Sequence, residues 1–344
     1  CGWGEMGGTE GSGWPLRLAA VLLLTGAGGL YALYQLLEAR DKQRGGVREG
    51  PRVARGPGGT DARAGGDHTV HAPTGAASGR AGSVLANSPD NVDQQHLQVV
   101  LSLLQENSDV STQERALVTL GNSAAFTVNQ ELIRNLGGLR VIGNCLFNPV
   151  TSVKVKTLNA LNNLSMNVAN QEELKVWIPQ ILQILETSIL NSELQLAGLR
   201  VLTNMSVTNN YHCVITSSIP YFYKVLAEGV ENTQVQVLKV LVNLSANPDL
   251  TQDLLCAQAP PSFLLLFDSC VNKDILLRVL TFVANLKENP SLLHNPAQEE
   301  YKVHCLDYVL FGNSSPFCQK LATLALHPDS EVKKQVARIV AKLP

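Results

Sequence analysis

The chain has 344 residues, 45% of them apolar, and a formal net charge of −2. That length suits one large domain or two ordinary ones. From Asp90 onward it carries 18 Lys and Arg against 22 Asp and Glu, a balance of 18 − 22 = −4. A dedicated nucleic-acid binder normally has a basic footprint, so this balance disfavours that class.

Residues 1–17 are a short N-terminal segment, and the run from Leu18 to Leu37 reads LAAVLLLTGAGGLYALYQLL. About 20 uncharged residues at ~1.5 Å per residue match a bilayer core about 30 Å thick. We therefore predict an uncleaved transmembrane signal anchor over residues 18–37. A cleaved signal peptide and a buried core helix remain as alternatives.

Positive charge follows the span at once. Between Arg40 and Arg55 there are six basic residues against Asp41 and Glu49. Positive charge resists translocation, so the C-terminal part is predicted to face the cytosol. A short, Gly-diluted anchor with a basic flank favours the mitochondrial outer membrane, with the endoplasmic reticulum as the alternative.

Residues 38–90 are predicted to be a disordered linker rich in Gly, Pro and Arg. Between positions 41 and 90 there are eleven Gly and four Pro, and no apolar periodicity. Such a stretch could not bury enough surface to offset the entropy of ordering. It would act as a flexible tether for the part that follows.

Residues 91–344 contain an internal repeat. Segments such as TLNALNNLS (157 to 165) and VLKVLVNLS (237 to 245) superimpose on one Asn, at intervals of 41, 41, 39 and 42 residues. This period is typical of armadillo and HEAT units. The repeated Asn residues are Asn122, Asn163, Asn204, Asn243 and Asn285.

Apolar columns accompany each Asn, five and two residues before it, as Leu158 and Leu161 precede Asn163. At 100° per residue these columns point almost directly away from the Asn. The sequence thus predicts an all-α domain of about six units, each with three helices and the last one degenerate. The Leu columns would form its core, and the Asn column an exposed ladder.

The phrases NQELIRNLGG and LNALNNLS resemble the armadillo repeat. With the anchor and basic tether, the chain is similar to the X-linked-like family of membrane-anchored armadillo repeat proteins. The resemblance implies a right-handed α-solenoid and a role in mitochondrial dynamics and transport through Miro and TRAK trafficking adaptors. It also implies regulation of cell growth and survival, by restraint of a tumour-suppressor transcription factor. An endoplasmic-reticulum or nuclear adaptor that regulates transcription is the alternative.

The candidate binding site is a groove lined by the Asn ladder. An Asn amide can bond the backbone of an extended peptide whatever its sequence, although each Asn could instead bond a neighbouring helix. Four residues before the Asn, Arg200 and Lys239 place two positive charges mid-groove, which favours acidic partners unless both are simply solvated. That column has no Trp, the residue with which armadillo nuclear-import receptors hold basic side chains, so recognition of nuclear-localisation signals is not expected.

No nucleotide-binding loop, nucleophile elbow or metal-ligand grouping is present, so we predict a non-enzyme without a cofactor, small-molecule substrate or metal. The histidines are scattered, and each is predicted to be solvated or satisfied within the fold. Widely spaced cysteines without a C-x-x-C pair are predicted to be ordinary reduced core thiols, in a reducing compartment. The cysteines are Cys1, Cys145, Cys213, Cys256, Cys270, Cys305 and Cys318.

Overall fold

A computed structural model describes residues 94–106, 108–288 and 304–342. The predicted segments at 1–17, 18–37 and 38–90 lie outside the described residues. Within those described, no helix is both long and apolar enough to cross a membrane.

The described chain is helical, as the 3.6-residue periodicity predicts. In chain order the α-helices are α1 (Gln94–Gln105), α2 (Val110–Ser123), α3 (Thr127–Asn135), α4 (Gly138–Asn144), α5 (Thr151–Leu164), α6 (Val168–Leu174), α7 (Ile178–Thr187), α8 (Glu193–Met205), α9 (His212–Ile215), α10 (Ile219–Glu228), α11 (Glu231–Ser245), α12 (Thr251–Cys256), α13 (Lys273–Glu288), α14 (Leu306–Phe311), α15 (Phe317–Leu324) and α16 (Ser330–Val340).

Helices α2, α5, α8, α11, α13 and α16 pack side by side in one layer. The first five carry the repeated Asn, and we call this layer the ladder layer. A second layer packs against it, made of α1, α4, α7, α10 and the 3-10 helix Pro261–Phe267. Short helices α3, α6, α9 and α12 connect the layers, so the predicted three helices per unit are present.

The apolar columns form the core between these layers. Leu158 and Leu161 are fully buried. So are their counterparts in the other units, namely Leu117, Leu120, Leu199, Leu202, Leu238, Leu241, Leu280 and Val283. The predicted core face of the ladder helices is therefore correct. One continuous hydrophobic cluster runs from α1 to α16.

The turn between α3 and α4 depends on paired glycines. Gly137 has a φ of 70°, in the left-handed region that glycine adopts at little cost. A Cβ on Gly138 would lie 2.7 Å from Cγ2 of Ile133. The two positions together permit a reversal too tight for other residues, as the sequence predicts.

The cysteine prediction is wrong in part. The described cysteines are free thiols, and Cys305 is buried, but Cys213, Cys256, Cys270 and Cys318 are exposed. They lie in or beside short helices and loops, where the repeat period does not fix which face is buried.

Candidate functional site

The surface opposite the Leu columns is formed by four positions on each Asn-bearing helix: the Asn and the residues four, seven and eleven before it. At 100° per residue these positions fall within about 60° of one another. They make one continuous strip across α2, α5, α8, α11 and α13, which we call the ladder face. The predicted groove corresponds to this face.

The repeated Asn side chains differ in exposure. Asn122 is exposed, whereas Asn163, Asn204 and Asn285 are half-buried. Asn243 is only 3% exposed, so the expectation of an exposed ladder is wrong there. The reason is side-by-side packing: each Asn after Asn122 lies on the flank of its helix, against the C-terminal end of the preceding ladder helix.

Hydrogen bonds show what the Asn amides contact. The Nδ2 of Asn163 donates to the Gly121 carbonyl oxygen at 2.8 Å. The Nδ2 of Asn204 lies 2.9 Å from the Asn162 carbonyl oxygen, its acceptor, and 3.0 Å from Oγ of Ser165. Both amides therefore join neighbouring ladder helices, which is the alternative that the sequence left open.

The same pattern continues towards the C-terminus. The Nδ2 of Asn243 donates to the Thr203 carbonyl oxygen at 3.2 Å, and that of Asn285 to Oγ of Ser245 at 3.1 Å. The Oδ1 of Asn243 is buried without a partner among the described residues. An Asn amide has two N–H groups and an acceptor oxygen, so these contacts leave part of each half-buried side chain for a partner.

A second set of amides, not predicted from the sequence, also links the units. The Nε2 of Gln130 donates to the carbonyl oxygens of Ala124 and Asn163 at 2.9 and 3.1 Å. Gln171 repeats this with Ser165 and Asn204 at 2.8 and 3.3 Å. The recurring Asn-Gln pair at 129–130 and 170–171 is the signal that could have revealed these links.

The two predicted charges lie on the ladder face as expected from their spacing. Arg200 is exposed and Lys239 is half-buried. Burial lowers the pKa of Lys239, and the nearby Arg278 and Arg200 lower it further, while Asp274 opposes them. Arg278, only 6% exposed, pairs with Asp274 at 2.8 Å; it was missed because it lies seven residues before the Asn rather than four.

In the described ranges no group of three or more His, Cys, Asp or Glu side chains could hold a metal ion. His212 is 1% exposed, and its Nε2 donates to the Ser206 carbonyl oxygen at 2.7 Å. What the face offers is amides, hydroxyls and positive charge in a regular array, which is a binding chemistry.

Layered three-helix units with a ladder of polar side chains define an armadillo-type repeat. A family model described as armadillo-like matches residues 92–310, and the chain belongs to that family. The armadillo fold is typically a non-catalytic, protein-binding scaffold.

Solved structures agree on the fold. Computationally designed armadillo repeat proteins for modular peptide recognition align with a TM-score of 0.61 at 16% identity, over 72% of this chain and 100% of theirs. A designed armadillo repeat protein in complex with peptide (KR)4 gives a TM-score of 0.59 at 15% identity, over 72% and 99% of the two chains. At this identity the likeness concerns the fold alone.

Proposed function

We propose that the chain is a non-catalytic scaffold that binds extended segments of other proteins on its ladder face. The observation that carries this is a polar strip shared by five consecutive helices, with side chains at Asn122, Arg115 and Arg200 open to solvent. A flat, repetitive, hydrogen-bonding surface suits a chain that lies across successive helices. The designed armadillo protein that binds a peptide supports the choice of ligand class.

The proposed setting is the mitochondrial outer membrane, with residues 18–37 as anchor and the repeats facing the cytosol. The uncharged run and its basic flank support this, and the endoplasmic reticulum is the alternative. The family resemblance supports Miro and TRAK trafficking adaptors and a tumour-suppressor transcription factor as partners. On this proposal the scaffold regulates mitochondrial dynamics and transport, and cell growth and survival.

Site-specific photo-crosslinking in cells tests the binding face. A photoreactive residue replaces Val118, which lies on the ladder face and is 42% exposed. The matched control places the same residue at Arg140, which is exposed on α4 in the second layer. Protein adducts should form from position 118 and not from position 140. No adduct at position 118, or the same adducts at both, would show that partners bind elsewhere.

Protease protection tests the topology. Protease added to intact mitochondria should remove the repeats, because the basic flank at Arg40 to Arg55 keeps them on the cytosolic side. A chain lacking residues 6–40 should be absent from the membrane fraction. Repeats that survive protease until the membrane is lysed would place them on the other side.

A further inference from the structure

The ladder face carries a basic residue on every one of its five Asn-bearing helices. They lie four or seven residues before the repeated Asn, so all five side chains share one strip. The row consists of Arg115, Lys156, Arg200, Lys239 and Arg278. Because three of them lie seven residues before the Asn and two lie four before it, no single column of the repeat reveals them.

The positive charge of this row is largely uncompensated. The acidic residues at the four ladder-face positions are Glu193 and Asp274, each eleven residues before its Asn. Asp274 pairs with Arg278. Among the described residues Arg115, Lys156, Arg200 and Lys239 form no ion pair. From Asp90 onward the chain as a whole is net acidic, so the excess of basic residues is a property of the ladder face and not of the entire domain.

Holding like charges on adjacent helices costs stability. Burial is the first cause of the lowered pKa of Lys239; Arg278 lowers it further, Asp274 opposes this, and Arg200 adds a smaller repulsion. A bound anion would offset this repulsion. Its attraction to the basic groups is screened less by solvent and salt at half-buried positions than on an open surface.

We propose that the segment bound on the ladder face is acidic, with Asp or Glu side chains that meet the basic row. This rests on the proposed function and specifies its ligand. Packed helices lie about 8 to 10 Å apart, and an extended chain advances about 3.4 Å per residue. Carboxylates at every second or third residue, over about seven to nine residues, therefore match the four members of the row other than Arg278, which is buried and paired with Asp274.

Charge and surface chemistry argue against other occupants. The predicted tether at 38–90 is itself basic next to the span, so it would be repelled by this face. The (KR)4 peptide bound by the designed armadillo protein has the opposite sign to the ligand inferred here. Single-stranded nucleic acid is also anionic, but it usually needs aromatic side chains on which bases stack. The four ladder-face positions of all five helices hold none.

Fluorescence anisotropy with the full chain in detergent micelles tests the proposal. The probe is a labelled twelve-residue peptide with Glu at every third position, separated by Gly-Ser, and its counterpart has Lys instead. The double variant R200Q/K239Q removes two charges of the row. The matched control R140Q/K224Q also removes one Arg and one Lys, both exposed on the second layer.

The Glu peptide should bind the unmodified chain more tightly than the Lys peptide, with affinity that falls as salt rises. R200Q/K239Q should weaken it about 3- to 30-fold, as expected for two partly exposed charge pairs, and R140Q/K224Q should not. The basic tether is the same in all three proteins, so the difference between variants reports the ladder face.

Equal affinities in the two variants, or a preference for the Lys peptide, would overturn the acidic ligand. If a twelve-nucleotide poly-dA binds more tightly than the Glu peptide, and its binding depends on the same two charges, the ligand of the ladder face is a nucleic acid and not a peptide. If crosslinks form from position 118 but the two double variants bind the Glu peptide equally well, the proposed function stands and only the preference for acidic segments is rejected. Absence of those crosslinks would reject the binding face itself.

Discussion

His212 holds in its unit the position that Gln130 and Gln171 hold in theirs. Each side chain donates to a carbonyl oxygen six residues earlier, at 2.7 to 2.9 Å. The imidazole is 1% exposed, and its Nδ1 accepts from Nδ2 of Asn247 at 3.3 Å. A ring that donates on one side and accepts on the other must be neutral, because imidazolium has no acceptor. The histidine predicted to be satisfied within the fold is therefore also a titratable link between units.

This link gives a pH dependence with a definite sign. Burial lowers the pKa of His212 below its ordinary value of about 6.5, although the hydrogen bond to Ser206 opposes this. The stability it contributes is complete above about pH 6.5 and is lost as the pH falls towards the lower folded-state pKa.

His212→Gln should keep the donor and remove this titration, because Gln already serves at the two equivalent positions. Urea unfolding at pH 7.5 and 5.5 should show a smaller loss of unfolding free energy in the variant than in the unmodified chain. Identical losses would mean that His212 does not titrate in this range.

At the scale of the element, the ladder helices are the part that the sequence predicts best. Their two apolar columns recur in the five Asn-bearing helices, and this periodicity alone determines which face of each helix is buried. The partners of the Asn column could not be predicted the same way. Whether Asn163 donates to Gly121 of the preceding helix or faces solvent depends on the distance between the two helices. The residue pattern of a single helix carries no information about that distance. The sequence likewise does not show that residues Pro261–Phe267 form a 3-10 helix where the other units have an α-helix.

Helix α5 allows a direct comparison of its two faces. Leu161→Ala should cost about 2 to 5 kcal/mol of unfolding free energy, because it leaves a cavity between the layers. Asn163→Ala should cost less, about 1 to 3 kcal/mol, because it removes the amide that donates to the Gly121 carbonyl oxygen and leaves that oxygen partly unsatisfied. Asn122→Ala, at an exposed position with no preceding Asn-bearing helix, is the control and should change stability by about 0.5 kcal/mol or less.

Chemical unfolding of the three variants measures the order. A loss at Asn163 as large as at Leu161 would show that the amide link contributes to stability as much as the core does. A loss at Asn122 equal to that at Asn163 would show that the bonds between helices contribute nothing.

At the scale of the whole molecule, the unit predicted to be degenerate continues the ladder layer past the five Asn-bearing helices. Helix α16 packs on the flank of α13 where a sixth Asn-bearing helix would lie. Arg338 stands at the position of the repeated residue, because Val336 and Ile339 beside it are buried as in the other units. Its guanidinium donates to Glu288 at 2.8 Å and to Oδ1 of Asn285 at 3.3 Å. The sequence shows only that the repeated Asn is missing from this unit. That Arg338 occupies its place is seen only from the contacts that it makes with α13.

The packing of α16 predicts what removal of residues 328–344 does. Helix α16 covers an apolar flank of α13 that would otherwise meet water. Each of Val332, Val336 and Ile339 is buried against the rest, and such a side chain contributes up to about 1.5 to 3 kcal/mol. Deleting residues 328–344 should therefore lower the melting temperature measured by circular dichroism, and should make the chain self-associate in light scattering.

Arg338→Ala is the matched control, since it removes the bonds to Glu288 and Asn285 but keeps the apolar cover. That ion pair is partly exposed, so its loss should cost about 1 kcal/mol or less and leave the chain monodisperse. If the truncated chain has the same melting temperature as the Arg338→Ala variant and does not self-associate, α16 adds only polar contacts. A large loss in Arg338→Ala alone would instead make the Arg, in the place of the missing Asn, the residue on which the end of the ladder depends.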